Sequence, residues 1–330
     1  MEKLLKWGIL GTGRIAHQFA KGLLNSESGG LHGVGSRSLA SAESFGTQFG
    51  VTRCYSDYEG LVRDPEIDVV YIATPNALHK PNARLALTAG KSVLCEKPFT
   101  VNAEEAKALI AEARDKRLFL MEAMWTRFFS AMTRLREMIR DGVIGEVQMV
   151  EADFGFRATK DEEPLLYDPA FGGGSLLDVG VYGLSLASMI LGRPSDIVST
   201  AHIGETGVDE QCGVVLRYGE GQLAIVRSTL LADTPQEATI IGTTGRIRLE
   251  SPFWCPTAMT LYRGEAIVDR LEFPFIGNGY QYEADEVGRC LRLGLLESEL
   301  MPLSESLEIM ETMDAVRACW TASGLSPTES

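Results

Sequence analysis

The chain has 330 residues, 45% of them apolar, with 31 basic and 45 acidic side chains and a formal charge of −14 at pH 7. That length suits two domains better than one core or three. The negative charge opposes nucleic acid and anionic membrane as partners, and a small neutral substrate fits it most easily. The opening Met-Glu-Lys-Leu-Leu-Lys runs straight into a strand pattern, so neither a signal peptide nor a membrane helix is expected there. Six widely spaced cysteines suit reduced thiols in a cytoplasmic protein and suggest no metal site.

In chain order, the apolar run at 6–10 breaks at Gly11-Thr-Gly13, after which Ile15, Phe19 and Leu23 recur at helical spacing. A strand at 31–35, a helix from Leu39 stopped by Gly50, a short strand at 51–54 and a helix after Ser56 follow. Next are a buried strand at 68–73, a helix closed by Gly90, a strand at 92–95 and a helix opened by Asn102 with Glu105 in capping-box position. Strands alternating with helices predict a parallel, doubly wound Rossmann domain over residues 1–123, ending after a strand at 118–121. The rhythm then changes. After one helix at 132–140, strands are expected at 147–156, 197–202, 213–218, 222–229, 238–242, 247–249, 259–263 and 266–273, a large and mainly antiparallel sheet in a domain spanning 124–330. Helices at 175–191, 280–293 and 304–322 would cover one face of that sheet. The open face would invite a second copy of the chain, giving a homodimer.

The chemistry-bearing residues begin with the turn Gly11, Thr12, Gly13, Arg14, Ile15 and Ala16, where the glycines permit a tight turn and close approach of pyrophosphate to a helix N-terminus. Residues 28–42 contain no Asp or Glu to bind ribose hydroxyls, and the second strand ends in Ser36-Arg37-Ser38 instead. Arg37 can pair with a 2′-phosphate, so NADP is expected, with NAD as the other possibility. Thr74, Pro75 and Asn76 follow the fourth strand and are expected along the cofactor; His79 serves either a ligand or helix-end packing. Glu96-Lys97-Pro98 ends the fifth strand, where Glu96 and Lys97 are expected along the cofactor and Lys97 either polarises a substrate oxygen or is simply solvated. Asp178 and Tyr182, four residues apart after the run Gly172 to Gly174, share a helix face; they form either an acid/base pair or a dipole partner and a packed aromatic. Trp125, Arg127, Phe129, Phe154, Phe156 and Tyr280 line a cleft or pack in a core. Of these, Trp125 and Arg127 are candidates for cofactor contact, and Trp125, Phe154 and Tyr280 for substrate contact.

The chain resembles the glucose-fructose oxidoreductase/inositol dehydrogenase/MocA family. The likeness runs through Gly8-Ile-Leu-Gly-Thr-Gly-Arg-Ile-Ala16, Thr74-Pro-Asn-Ala-Leu-His79, Glu96-Lys-Pro98, Met121-Glu-Ala-Met-Trp-Thr-Arg127, Asp178-Val-Gly-Val-Tyr182 and Gly277-Asn-Gly-Tyr-Gln-Tyr-Glu283. Met121–Arg127 and the block from Tyr282 to Val287 look most like the branch of dimeric dihydrodiol dehydrogenases and NADP-dependent D-xylose dehydrogenases. The resemblance implies a Rossmann domain followed by a dimerising open-sheet domain, Lys97 as a catalytic group and Tyr182 as proton donor or acceptor. Many relatives carry histidine at the position of Tyr182, which turns the expectation away from cyclitols and towards a sugar or diol. Two other classes, a glycoside hydrolase with retained NAD and a non-catalytic NADP sensor, compete with the oxidoreductase reading.

Overall fold

The computed structural model describes residues 4–325, which form two compact units. The first unit runs to Phe128 and also contains Phe275–Leu307. Within it β1 (Leu5–Leu10), α1 (Arg14–Leu23), β2 (Gly29–Gly35), α2 (Leu39–Phe49), β3 (Arg53–Tyr55), α3 (Tyr58–Arg63), β4 (Val69–Ile72), α4 (His79–Thr88), β5 (Ser92–Glu96), α5 (Ala103–Lys116) and β6 (Leu120–Ala123) alternate as expected. The six strands are parallel in the order β3-β2-β1-β4-β5-β6, so the direction of winding reverses between β1 and β4. All four residues of β4, Val-Val-Tyr-Ile, are buried, as a strand covered on both faces requires. Asn102 caps α5 by accepting the Glu105 amide at 2.9 Å. The outer edge of β6 is covered in part by the chain at Leu296, whose carbonyl accepts the Leu120 amide at 3.1 Å.

The second unit contains Phe129–Pro274 and the described chain from Glu308 to Leu325. It holds α6 (Ser130–Arg140), β7 (Val147–Gly155), α7 (Val181–Leu191), β8 (Asp196–Ile203), β9 (Asp209–Arg217), β10 (Leu223–Thr229), β11 (Ala238–Gly242), β12 (Arg246–Leu249), β13 (Ala258–Arg263) and β14 (Ala266–Glu272). These eight strands form one sheet in the order β14-β13-β12-β11-β7-β10-β9-β8, antiparallel throughout except for β7 beside β10. Burial alternates along β9 and β10, which marks one covered face and one open face. α7 lies on the covered face against β7 and β10. Gly183 makes that closeness possible, because a Cβ there would stand 2.6 Å from Val226 Cγ1. On the open face Val198, Val215 and Ile225 register side by side across β8, β9 and β10 and are 63%, 38% and 38% exposed.

The expected boundary at 123, with everything beyond it in the second domain, needs correction. Phe275–Leu307, with α8 (Gln281–Arg292), belongs to the first unit, and α9 (Leu303–Ala322) passes from the first unit into the second. α8 packs on α1: Asn278 Nδ2 donates to the Gln18 carbonyl at 2.8 Å, and Ser26 Oγ donates to Asp285 at 2.7 Å. Its buried stripe of Gln281, Ala284, Val287 and Cys290 announces a covered helix, whereas the identity of the covering surface is set by contacts distant in sequence. The helix expected over 175–191 begins with a π-helical turn, Leu176–Gly180. Pro169–Leu191 is apolar and long enough to match a membrane span, yet 72% of its most apolar window is buried, as in a core helix.

Candidate active site

The turn after β1 is built for phosphate. Gly11 has φ +107°, and a Cβ there would stand 2.6 Å from the Ala73 carbonyl oxygen, so no other residue fits. Gly13 has no atom within 4 Å of the corresponding position, which leaves the backbone open to close approach by a ligand. It caps the ten-residue α1 without a side-chain hydrogen bond, and the first turn, which holds Arg14 and Ile15, contains no acid. The amides at that helix end therefore offer a partial positive charge that fits a dinucleotide pyrophosphate. At the end of β2, Ser36 Oγ lies 3.4 Å from Thr12 Oγ1, and exposed Arg37 stands close enough to Tyr58 for its charge to oppose the rise that burial imposes on that phenol.

The ends of β4 and β5 are tied to each other. Thr74 is buried, its Oγ1 accepts Asn82 Nδ2 at 3.1 Å, and Pro75 and Asn76 beyond it are half-buried. His79 is 1% exposed, with Nε2 2.9 Å from the Thr74 carbonyl and Nδ1 2.8 Å from the Pro98 carbonyl. Those two carbonyls favour the imidazolium, but burial outweighs them and lowers the ring to about 4, so at pH 7 the neutral ring has one N–H and donates to one of the two carbonyls at a time. Of its two readings the structure selects packing, since neither ring nitrogen is left for a ligand. Glu96, also expected on the cofactor, turns inward instead: its Oε1 accepts the Tyr71 hydroxyl and its Oε2 the Lys97 amide at 2.9 Å. Lys97 itself is half-buried at the head of the loop after β5.

Arg127 requires a similar correction. It is 2% exposed, and its guanidinium donates to Glu305 Oε1 at 2.6 Å, because a buried cation needs a fixed counter-charge. Trp125 is 6% exposed and stacks on Tyr280, centroids 4.4 Å apart and planes 9° apart.

Two acids of the first unit that sequence reasoning passed over are fully buried. Glu283 on α8 is 0% exposed, neither of its oxygens has a hydrogen-bond partner among the described residues, and burial followed by the nearby Glu96 raises it well above the carboxylate range. Glu122 on β6 is raised to about 7, first by burial; its Oε1 accepts the Phe99 amide at 3.1 Å. The available signals were an acid inside the short apolar run Leu-Met-Glu-Ala and an acid beside Ala284 and Val287 on the buried stripe of α8.

In the second unit, half-buried Asp178 sits on the π-helical turn and Tyr182, 7% exposed, on the first turn of α7. The Tyr182 ring lies 5.4 Å from Phe154, which stacks on Trp254 at 5.2 Å with planes 5° apart. Trp254, missed in the sequence because it falls in an irregular segment, is held by its indole N–H donating to Gln236 Oε1 at 3.0 Å. Phe156 turns away to pack with Tyr167, Val208 and Leu230. Asp209 on β9 anchors the π-helical turn by accepting the Leu176 amide at 2.7 Å and the Ser175 hydroxyl at 2.8 Å; burial nevertheless raises it to about 6.

A Rossmann sheet with a phosphate turn at its switch point defines a dinucleotide-binding protein, and comparison with known proteins gives the family. Residues 5–124 match the oxidoreductase family with the NAD-binding Rossmann fold, and residues 132–248 match the GFO/IDH/MocA C-terminal domain. The chain belongs to this family of NAD(P)-binding oxidoreductases. It is 39% identical to trans-1,2-dihydrobenzene-1,2-diol dehydrogenase of Mus musculus over 327 residues, and 37% identical to that of Homo sapiens, covering 95% of this chain and 96% of the relative in each case. That is the branch the sequence motifs resembled. Among solved structures, a 3-ketoreductase from Actinomadura kijaniata in complex with NADP and TDP-benzene aligns with TM-score 0.85 at 25% identity over 96% of this chain and 98% of its own. An aldose-aldose oxidoreductase from Caulobacter crescentus shares the fold with TM-score 0.89 at 24% identity over 97% and 98%.

Proposed function

We propose that the protein is an NADP-dependent oxidoreductase that interconverts a CH–OH group and a carbonyl on a sugar or trans-dihydrodiol-like substrate. One observation carries this reading. The phosphate turn after β1, Thr74 to Asn76 after β4, and Lys97 after β5 all leave the carboxyl ends of neighbouring parallel strands beside the switch point, where open α/β sheets bind ligands. Arg37 with Ser36 and Thr12 forms a cluster of donors suited to a 2′-phosphate, and the stretch 28–42 around that strand end carries no acid of the kind that favours NAD. The relatives named for diol oxidation and the neighbour crystallised with NADP support the same assignment.

When bound, the nicotinamide supplies the redox chemistry by accepting or returning the hydride of the substrate carbon. The remaining roles fall to this chain. Tyr182 takes the hydroxyl proton, or returns it in reduction. A free phenol titrates near 10, so the step needs a cation to stabilise the phenolate, and the family resemblance that makes Lys97 a catalytic group assigns it that role. Asp178 orients the substrate hydroxyls. In the second unit the flat Phe154–Trp254 stack beside Tyr182 offers an apolar face to a ring substrate. Holding the reacting carbon in place accounts for much of the acceleration.

The test follows nicotinamide absorbance with NADP⁺ and, separately, NAD⁺ against diols, aldoses and cyclitols, with Lys97→Met alongside. NADP⁺-dependent turnover of a diol or sugar, lost in the variant although cofactor still binds, is the expected result. Binding without turnover would sink it and favour the retained-NAD hydrolase or the sensor. The exposed row of Val198, Val215 and Ile225 supports a homodimer through the open sheet face, and light scattering of Val215→Asp is expected to report a monomer. All six cysteines are free thiols, which supports cytoplasmic residence.

A further inference from the structure

Three consecutive residues follow β5, and the backbone of each is held by a different buried ionisable side chain. The Lys97 amide donates to Glu96 Oε2 at 2.9 Å, the Pro98 carbonyl lies 2.8 Å from His79 Nδ1, and the Phe99 amide donates to Glu122 Oε1 at 3.1 Å. The three side chains stand on β5, α4 and β6 and are 4%, 1% and 1% exposed. Burying two carboxyl groups to satisfy two backbone amides is an expensive solution, since neutral amides or hydroxyls would pair the same atoms without desolvating a charge. What a carboxylate adds is strength: a charge-assisted hydrogen bond is shorter and roughly twice as strong as a neutral one.

We propose that Glu122 is a positioning residue for Lys97: its carboxylate grips the Phe99 amide and, with Glu96 and His79 on the two preceding residues, fixes where the loop sends the Lys97 ammonium. This rests on the reading of Lys97 as the group that stabilises the phenolate. The surroundings of Glu122 set when the grip is tight. Cys95 faces it from β5, Arg127 from the turn after β6, and Glu305 and Ser306 from α9. Burial is the largest influence and raises the acid; Ser306, Arg127 and the Phe99 amide oppose it, and Glu305 adds to the rise. Ionisation therefore falls near neutral pH, with a carboxylate grip above it and a weaker, neutral grip below.

Wild type, Glu122→Gln, Glu122→Leu and Lys97→Met are compared for turnover between pH 5.5 and 9 and for NADPH binding by fluorescence. Glu122→Leu removes the acceptor and is expected to lower kcat about tenfold, with cofactor Kd within about twofold, because slight misplacement of a reacting group suffices for such a loss. Glu122→Gln keeps a carbonyl oxygen for the Phe99 amide and restores most of the rate, but the ratio of wild-type to variant kcat rises several-fold as pH passes through about 7. The limb due to Tyr182 is common to both proteins and cancels in that ratio. An unchanged ratio across the range, with Lys97→Met inactive, overturns the inference while sparing the reading of Lys97. Full turnover in Lys97→Met overturns both. If Glu122→Leu does not fold, the Glu122→Gln ratio decides alone.

Discussion

Replacing Glu122 with glutamine should change how stability depends on pH, and the size of the change follows from burial. The carboxyl is 1% exposed, so solvent does not screen its charge. Its folded value of about 7 lies above the ordinary 4.5, so the neutral acid stabilises the native state fully below pH 4.5. That contribution shrinks between 4.5 and about 7 and is gone above it. At roughly 1.4 kcal/mol per pH unit, the interval corresponds to about 3 kcal/mol. Glutamine is neutral at every pH and removes this dependence. Urea unfolding followed by tryptophan fluorescence from pH 4.5 to 8.5 should therefore show wild type losing about 3 kcal/mol relative to Glu122→Gln as pH rises. Any constant offset from the new amide leaves the slope untouched, and Glu283 and Asp209, also raised by burial, tilt both proteins alike. Parallel stability curves would refute the claim that Glu122 ionises at a cost inside the fold.

Gly11→Ala forces a side chain into left-handed backbone and against the Ala73 carbonyl, so the turn must shift from its phosphate-binding shape and NADPH affinity should fall by about 5- to 30-fold, from roughly 1–2 kcal/mol of backbone strain. Isothermal titration measures it, and unchanged affinity would mean the turn does not hold phosphate. Arg37→Ala should raise the NADPH dissociation constant by about 10- to 100-fold and leave NADH unaffected; equal losses for both cofactors would rule out a 2′-phosphate contact. Tyr182→Phe should lower turnover by about 10²- to 10⁴-fold with cofactor affinity preserved, and near-normal turnover would move the proton-transfer role elsewhere.

Much of this protein is written locally. The alternation of strand and helix, the Asn102 cap, the wholly apolar β4 and the glycine turn each depend on residues within a few positions of one another, and each appears where the sequence places it. The span 238–242 is recovered residue for residue as β11, because an isolated β-branched run between turn residues admits few alternatives. The motifs likewise placed the chain in its family and branch.

Tertiary structure decided what each polar side chain does. His79, Glu96 and Arg127 stand in motifs at or just beyond the carboxyl ends of β4, β5 and β6, and their types alone suit ligand binding as well as bracing; only their partners, Thr74 and Pro98, Tyr71, and Glu305, turn them inward. Glu122 and Glu283 become unusual acids through burial by segments far away in sequence, α9 near one and Glu96 near the other. The return of Phe275–Leu307 to the first unit has the same origin. Periodicity and caps act over a turn of helix or a pair of strands, so sequence determines the elements and their apolar faces. Desolvation and ion pairing depend on the whole neighbourhood of a side chain, which exists only once the chain has folded.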